Sequence, residues 1–308
     1  MKLSLIQLKV APSPEENLTK IKTMLKKAKA EGADLCVLPE MCCCPYENEA
    51  FVRYAMTTDD PFLTELAETA KELDIYLVAG SVPEKDQKNI YNTSFVYSPK
   101  GSCLARHRKV HLFDIDVEGG QYFMESDTFT AGNEVTSFQT PWGKFGVMIC
   151  YDIRFPEMAR LTAQNLDPYS KLNAILVPAA FNMTTGPAHW ELSFRMRALD
   201  QQIFMAGCAP ARNVNSSYQA WGHSIVTDPW GSIAAQLDEK EGILTVDLDF
   251  DKVEKVREQL PLWKHRRTDL YCVTSRVGIP SEQLSHLTLQ HKETAKKLIT
   301  NILRRETE

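Results

Sequence analysis

Three side chains capable of joint chemistry each stand where a run of strand-like residues ends. Phe145-Gly146-Val147-Met148-Ile149 gives way to Cys150-Tyr151-Asp152, Leu35-Cys36-Val37-Leu38-Pro39 to Glu40, and Cys103-Leu104-Ala105-Arg106-His107-Arg108 to Lys109. A free thiol has a pKa of about 8.5 and is mostly protonated near neutrality, so it needs a base or a cation to become a good nucleophile. Glu40 could take the proton, and Lys109 could hold both the thiolate and the oxyanion of a tetrahedral intermediate. The backbone N–H of Tyr151, next after the thiol, is a second oxyanion donor. Glu125, within Tyr122-Phe123-Met124-Glu125-Ser126-Asp127, could orient Lys109 or the substrate.

These parts suit an amide. Sulfur attacks the carbonyl, ammonia leaves with a proton from Glu40, and a water activated by Glu40 releases the acid from the thioester. Taken singly, each residue also has a plain reading. A strand-end Cys is commonly a small hydrophobe, Glu40 could be a solvated turn residue, and Lys109 could belong to the basic run Arg106-His107-Arg108. The combination and its setting carry the argument.

The elements that must position these groups follow from periodicity and punctuation. The run 145–149 has the length and β-branched content of a buried strand. Phe155-Pro156-Glu157 then starts a helix, with Pro156 in the first turn, where its missing N–H costs little. Strand, sharp turn and helix form an elbow that lifts the thiol to a crevice outside the carboxyl ends of the strands. Upstream, a first strand ends at Pro12, and Ser13 caps a helix with Pro14, Glu15 and Glu16 in its first turn, running to about Glu31. A strand over 33–40 ends on Glu40. A helix over 61–73, a strand over 75–81 and a hairpin through 91–97 follow, turning at Pro99-Lys100-Gly101 to return along 103–108.

The stretch 111–130 shows neither period and reads as a loop over the site. Beyond the elbow come a strand over 173–181, a helix over 188–199 with Trp190, Phe194 and Met196 among its apolar positions, and strands over 203–209, 223–228, 232–237 and 242–248. This alternation argues an α/β fold, with Glu40, Lys109 and Cys150 sharing one crevice of an open sheet. Leu284, Leu287, Ala295, Leu298 and Ile302 recur at near-helical spacing in 281–305, as in a helix packed on the body or on a second subunit.

The 308 residues contain no Pro/Gly/Ser-rich linker or fixed repeat, so one domain is the simpler reading. Hydrophobic content of 44%, charged content of 24% and a net charge of -5 give no electrostatic reason to expect nucleic acid, which leaves a small molecule as the partner. The N-terminal apolar stretch is too short for a secretory leader, and no apolar run reaches the roughly 20 residues a bilayer requires. A cytoplasmic enzyme with no membrane attachment is the expectation. The eight cysteines mostly lie in apolar runs and read as reduced, buried hydrophobes.

The segments LCVLPEM around Glu40, HRKVHLFD around Lys109 and ICYDIRFPE around Cys150 resemble the three motifs of the nitrilase superfamily of carbon–nitrogen hydrolases. The resemblance implies Glu40, Lys109 and Cys150 as catalytic residues, with Glu125, in FMESDT, as the family's additional active-site Glu. It also implies a four-layer αββα sandwich over 1–271, a C-terminal extension over 272–308, no cofactor, and a homodimer or larger homo-oligomer formed through a helical face. Within the superfamily, 181–191, 208–213 and Trp221-Gly222-His223-Ser224 are most similar to the ω-amidase branch, which hydrolyses the terminal amide of α-ketoglutaramate and α-ketosuccinamate. Such a substrate needs a cation at the end remote from the scissile amide. Arg154, four residues after Cys150 and matching the Arg of the branch's CYDxRF motif, offers a bidentate fork for its carboxylate. The same resemblance makes Thr185 and the backbone near Phe181 auxiliary donors. The chain departs from the pattern at Cys42-Cys43-Cys44, at Asp167-Pro168-Tyr169-Ser170-Lys171, which appears as an insertion, and in its tail beyond Tyr271.

Four other readings compete. A Cys–His hydrolase would use His111, His189 or His223 as base. Zinc on Cys42, Cys43 and Cys44 would lack the spaced Cys pairs of structural sites. An amidase for deaminated glutathione or N-carbamoyl amides would use the same triad in a different pocket. A non-catalytic scaffold would have no use for a Glu, a Lys and a Cys buried together, each costly to bury unpaired.

Overall fold

The computed structural model describes residues 1–164 and 172–275. Met1–Tyr271 forms one compact unit. The insertion at 167–171 and the helix expected over 281–305 lie outside the described residues.

Two sheets make up the body. The first runs, in spatial order, Gly242–Asp247, Lys2–Gln7, Leu35–Val37, Tyr76–Val78, Asn89–Tyr97 and Val82–Asp86, with Cys103–Arg108 also paired to Asn89–Tyr97. The second runs Ile233–Gln236, Ile225–Thr227, Phe204–Cys208, Leu172–Pro178, Gly143–Val147 and Thr136–Thr140. Each has three parallel strands at its heart, flanked by antiparallel ones.

Alternation along the strands decides the layering, because successive side chains point to opposite faces of a sheet. Leu3, Leu5, Leu35, Val37 and Val78 of the first sheet share one buried cluster with Phe145, Val147, Ala174, Leu176 and Ala206 of the second. The sheets therefore pack face to face. The first sheet's other face, with Ile6, Cys36 and Leu77, packs on Ile21 and Leu25 of the helix Pro14–Ala30 and Leu63 and Leu66 of the helix Pro61–Glu72. The second sheet's outer face, with Ile175, Val177 and Met205, packs on Met158 and Ala163 of the helix Pro156–Gln164 and Trp190 and Phe194 of the helix Gly186–Gln201. Helix, sheet, sheet, helix is the αββα sandwich.

Local chemistry sets the element ends. Ser13 caps Pro14–Ala30 by accepting a hydrogen bond from Glu16 N at 3.2 Å, as the Ser-Pro-Glu-Glu sequence predicts. Three expectations need correction. The stretch 111–130 is not structureless: Asp114–Asp116 pairs with Tyr122–Met124 as a small ribbon, followed by the 3-10 turn Glu125–Asp127. Strands of three residues each are too short to carry a readable period. Met196 is 46% exposed and faces away from the core that holds Trp190 and Phe194. Finally, the three motif residues do not share the crevice of a single sheet. Glu40 and Lys109 follow strands of the first sheet, and Cys150 follows a strand of the second, so the site lies where the sandwich ends.

Candidate active site

Glu40 lies two residues beyond Leu38, whose N–H still pairs with Val78 O at 3.0 Å. The turn after it is held by Ser81, which accepts from Met41 N through its hydroxyl at 3.1 Å and from Cys42 N through its carbonyl at 3.1 Å. Gly80 makes that approach feasible: a Cβ there would sit 2.2 Å from Pro39 O, and its φ of +47° is one that other residues rarely adopt. Lys109 follows directly on Cys103–Arg108 and is fixed by its own N–H to Asn92 O at 2.8 Å. Glu125 opens the 3-10 turn of the covering segment, and its Oε2 accepts from Phe113 N at 2.6 Å.

Cys150 opens the 3-10 turn Cys150–Arg154, between the strand Gly143–Val147 and the helix Pro156–Gln164, with φ of +45°. A non-glycine residue in the left-handed region is strained, and an over-determined surrounding must hold it there. Asp152 supplies much of that surrounding. Its carboxylate accepts from Ile149 N at 3.1 Å and His111 N at 2.9 Å, and pairs with His107 Nε2 at 3.1 Å and His111 Nδ1 at 2.8 Å. Burial alone would raise its pKa, but these partners outweigh burial and hold it well below the usual carboxylate range. Four contacts to three residues thus pin the elbow.

The three motif residues and Glu125 do come together. Lys109 Nζ donates to Glu40 Oε1 at 2.9 Å, and lies 2.9 Å and 2.8 Å from the two oxygens of Glu125. Lys109, Glu40 and Glu125 are each 1% exposed or less, and Cys150 is 4% exposed. Ala180 N–H points at Cys150 Sγ from 3.5 Å. Cys150 and Glu40 perturb each other's ionisation, yet Glu40 Oε2 has no partner of hydrogen-bond geometry among the described residues. This is a base with one lone pair uncommitted beside a thiol.

The electrostatics follow from one ammonium between two buried carboxylates. Burial would lower the pKa of Lys109, but Glu125 and Glu40 more than offset it and the net shift is upward, so the ammonium keeps its proton. Burial raises Glu40, with Lys109 opposing and Glu125 reinforcing. Burial and then Glu40 push the Cys150 thiol well up, against Lys109. At rest the sulfur is a neutral thiol beside a carboxylate more basic than usual. Such a pair suits proton transfer when a substrate arrives.

Around this centre the remaining sequence candidates fall as follows. Tyr151 is second in the turn, its N–H among the free donors of a first turn, and its ring packs edge-on against Phe113 and Phe155. Arg154 lays its guanidinium over the Phe181 ring at 4.6 Å and meets His189 Nδ1 at 2.9 Å through Nη1. It has no recorded ion pair among the described residues, and its Nε is buried without a partner. Phe181 therefore meets Arg154 through its ring, while its carbonyl accepts from Trp221 N at 2.6 Å. Thr185 directs its hydroxyl to Asn182 Oδ1 at 3.0 Å. The histidines of the rival reading are engaged elsewhere: His111 with Asp152 and the face of Phe155, His189 with Arg154, and His223 Nδ1 with Trp221 O at 2.8 Å. Cys42, Cys43 and Cys44 are buried in the first sheet's outer core.

Residues 2–258 match the family model described as carbon-nitrogen hydrolase. The chain belongs to that family. It is 45% identical over 277 residues to omega-amidase NIT2 of Xenopus tropicalis, covering 89% of this chain and 98% of the relative. It is 42% identical over 272 residues to omega-amidase NIT2 of Homo sapiens, covering 88% and 97% respectively. Among solved structures, Saccharomyces cerevisiae Nit3, described as a member of branch 10 of the nitrilase superfamily, is 40% identical with a TM-score of 0.79, covering 87% of this chain and 96% of that one. With family membership comes an enzyme class, hydrolysis of a carbon–nitrogen bond of the amide kind.

Two residues of the hydrolase site escaped the sequence reading. Tyr46 donates its hydroxyl to Glu125 Oε1 at 2.6 Å and lies 3.2 Å from Glu40 Oε1, while Asn92 Nδ2 lies 2.9 Å from Glu40 Oε1 and 3.3 Å from Glu125 Oε1. Tyr46 stands six residues past Glu40, in the Pro45-Tyr46 pair that closes the cysteine run, and its position there was the available signal. Asn92 becomes visible only through strand register, since Thr93 pairs with Arg108, next to Lys109.

Proposed function

We propose that this chain cleaves the terminal amide of a small dicarboxylate monoamide of the α-ketoglutaramate or α-ketosuccinamate type, giving the acid and ammonia through a thioester on Cys150. The single observation that carries the substrate class is the guanidinium of Arg154, laid on Phe181 beside the thiol turn with no acidic partner recorded among the described residues. A half-buried cation without a counter-ion invites a carboxylate, and Arg presents the fork that matches one. The two curated relatives named omega-amidase support the same class.

In this reading the carbonyl carbon lies against Cys150 Sγ. Glu40 takes the thiol proton as sulfur adds, and the oxyanion forms between Lys109 Nζ and the Tyr151 N–H. Glu40 then protonates the departing nitrogen, the C–N bond breaks, and ammonia leaves. Water enters, gives its proton to Glu40, and the second tetrahedral intermediate collapses with loss of the C–S bond. Lys109 keeps its proton throughout, because Glu125 and Glu40 hold it raised. Glu125, Tyr46 and Asn92 fix the ammonium and the base. Thr185 and Phe181 act on the substrate through the loop that supports Arg154.

The test is a comparison of Arg154→Leu with the unaltered enzyme on α-ketoglutaramate and on a neutral amide of similar length. KM for the keto-acid amide should rise by about 30-fold or more, the scale of a lost charge-assisted bidentate contact, with little change for the neutral amide. Equal effects on both would remove Arg154 from carboxylate recognition.

The assembly is part of the same proposal. Leu192, Met196 and Leu199 recur at helical spacing on Gly186–Gln201 and are 66%, 46% and 40% exposed, with Trp230 at 54%. A second copy covering this apolar face fits the pattern. Light scattering on the Leu192→Glu, Met196→Glu variant should give a monomer where the unaltered chain gives a dimer or larger species.

A further inference from the structure

A cavity of about 320 Å³ opens beside the catalytic carboxylate, and ammonia does not account for its size. Glu40, Tyr46 and Tyr218 line its inner part, with Glu47, Asn215 and Ser216 further along. A guest the size of water or ammonia needs only about 10–15 Å³ of such space. The cavity's charged lining is Glu40 and Glu47 alone among the described residues; Arg154, Phe181 and Thr185 take no part in it. A carboxylate entering here would meet two like charges. An ammonium would meet two opposite ones, beside the Tyr46 and Tyr218 rings stacked on one another at 4.4 Å. Glu47 is half-buried and accepts a hydrogen bond from the Ser217 hydroxyl, which holds its carboxylate in place.

Orientation follows from the chemistry. The group that protonates the leaving nitrogen must be within hydrogen-bond reach of it. Glu40 is that group, and its Oε2 has no hydrogen-bond partner among the described residues. The acyl half of the substrate extends toward Arg154, so the nitrogen, and anything attached to it, extends toward the cavity.

We propose that this cavity is a leaving-group subsite, and that the enzyme also hydrolyses secondary amides of the same dicarboxylates whose departing amine carries a second, positively charged nitrogen. The proposal rests on the ω-amidase-type reading of the site. The chemistry balances as for the primary amide. Cys150 sulfur bonds to the acyl carbon as its proton passes to Glu40. The C–N bond breaks with its electron pair staying on nitrogen, which takes the proton from Glu40 and leaves as a primary amine. Water then cleaves the thioester, its proton returning through Glu40 to the sulfur.

The experiment uses α-ketoglutaramate, its N-(2-aminoethyl) derivative and its N-propyl derivative, with ammonia or amine release followed directly. Ethylenediamine should be released with kcat/KM within about tenfold of that for the primary amide, and the propyl compound should be about tenfold poorer than the cationic one. Glu47→Gln should erase that preference for the cation. Ser216→Trp and, at a more exposed position, Asn215→Trp should each lower release of ethylenediamine by about tenfold or more while ammonia release stays within about twofold. Hydrolysis of the primary amide with no release of the diamine overturns the subsite and leaves the proposed function standing. Equal loss on primary and secondary amides in both Trp variants also overturns it, by making the cavity a common entrance. Failure on all three compounds overturns the subsite together with the reading it rests on.

Discussion

His107 Nε2 lies 3.1 Å from Asp152 Oδ2, and both side chains are fully buried. His107 belongs to the strand Cys103–Arg108, two residues before Lys109, and Asp152 to the turn two residues after Cys150. The contact therefore ties the strand that delivers the ammonium to the elbow that delivers the sulfur. It spans the two sheets and sets the distance between their reactive groups.

Asp152→Asn tests that tie. An amide in this position cannot accept from all of Ile149 N, His111 N and the two imidazoles, so a buried, partly orphaned network replaces a satisfied one. Unfolding in urea should show a loss of about 3–5 kcal/mol. Turnover should fall more than stability alone explains, because Cys150 at φ +45° loses the contacts that hold it.

The same carboxylate predicts an acid limit. Its folded-state pKa is depressed by its hydrogen-bonding partners despite burial. A depressed carboxylate contributes stability that is fully present above its unfolded pKa of about 3.9 and is lost as pH falls below that value toward the folded pKa. The unaltered chain should lose stability steeply below about pH 4, and Asp152→Asn should show a flatter profile there. A difference between the two that does not shrink on acidification would contradict this assignment.

Lys109→Met should be destabilising for a different reason, since it leaves Glu40 and Glu125 facing one another without the shared ammonium. Removing one partner of a buried ion cluster costs about 3–5 kcal/mol. The cost should shrink between pH 7 and pH 5. Glu40 is already raised by burial with Lys109 present, and without it Glu40 protonates more readily as pH falls, relieving the repulsion. Denaturant melts of both proteins at the two pH values give the comparison directly.

Much of this site could be read from residue order, and the remainder had physical reasons for being hidden. Glu40 and Cys150 each follow an apolar run whose polarity changes abruptly, which a linear pattern displays, and Lys109 ends the return strand of a hairpin marked by its Pro99-Lys100-Gly101 turn. The strand boundaries came out longer in the sequence reading, as with 33–40 against the observed Leu35–Val37, because Leu38 and Pro39 continue the apolar run while the chain is already turning. That the residues belong to two sheets was invisible to local pattern, since face-to-face packing depends on partners far apart in sequence. Asn92 was hidden for the same reason. Asp152 was hidden because an acid just after a thiol reads as polar turn filler until His107 and His111, brought from other parts of the chain, are seen around it together with Ile149 N. The ribbon Asp114–Asp116 with Tyr122–Met124 has strands of only three residues each, too short to display a period in the letters.

Cys150→Ala separates chemistry from architecture. The side chain is buried, and its replacement removes one sulfur atom from a core that retains Ile149, Ile153 and Phe181. Circular dichroism and melting should show a fold intact to within about 1 kcal/mol, the scale of a small buried group. Amide turnover should fall by about a thousandfold or more, since no nucleophile remains to form the thioester. Retained turnover in a folded Cys150→Ala protein would end the covalent account.

Tyr46→Phe addresses the residue that the letters did not reveal. The hydroxyl stands 2.6 Å from Glu125 Oε1 and 3.2 Å from Glu40 Oε1, and the ring is wedged against Phe51 and Tyr218, so a phenylalanine keeps the packing and deletes only the donor. A hydrogen bond given to an ionised carboxylate favours the ionised form, and its loss raises the pKa of the group it served. In the proposed mechanism Glu40 must be ionised to take the thiol proton. The acid limb of kcat/KM should therefore move to higher pH in the variant, with a fall of about tenfold at neutral pH and less at alkaline pH. A purely structural role would lower activity evenly across the pH range. An unmoved acid limb would thus show that Tyr46 does not act on the base.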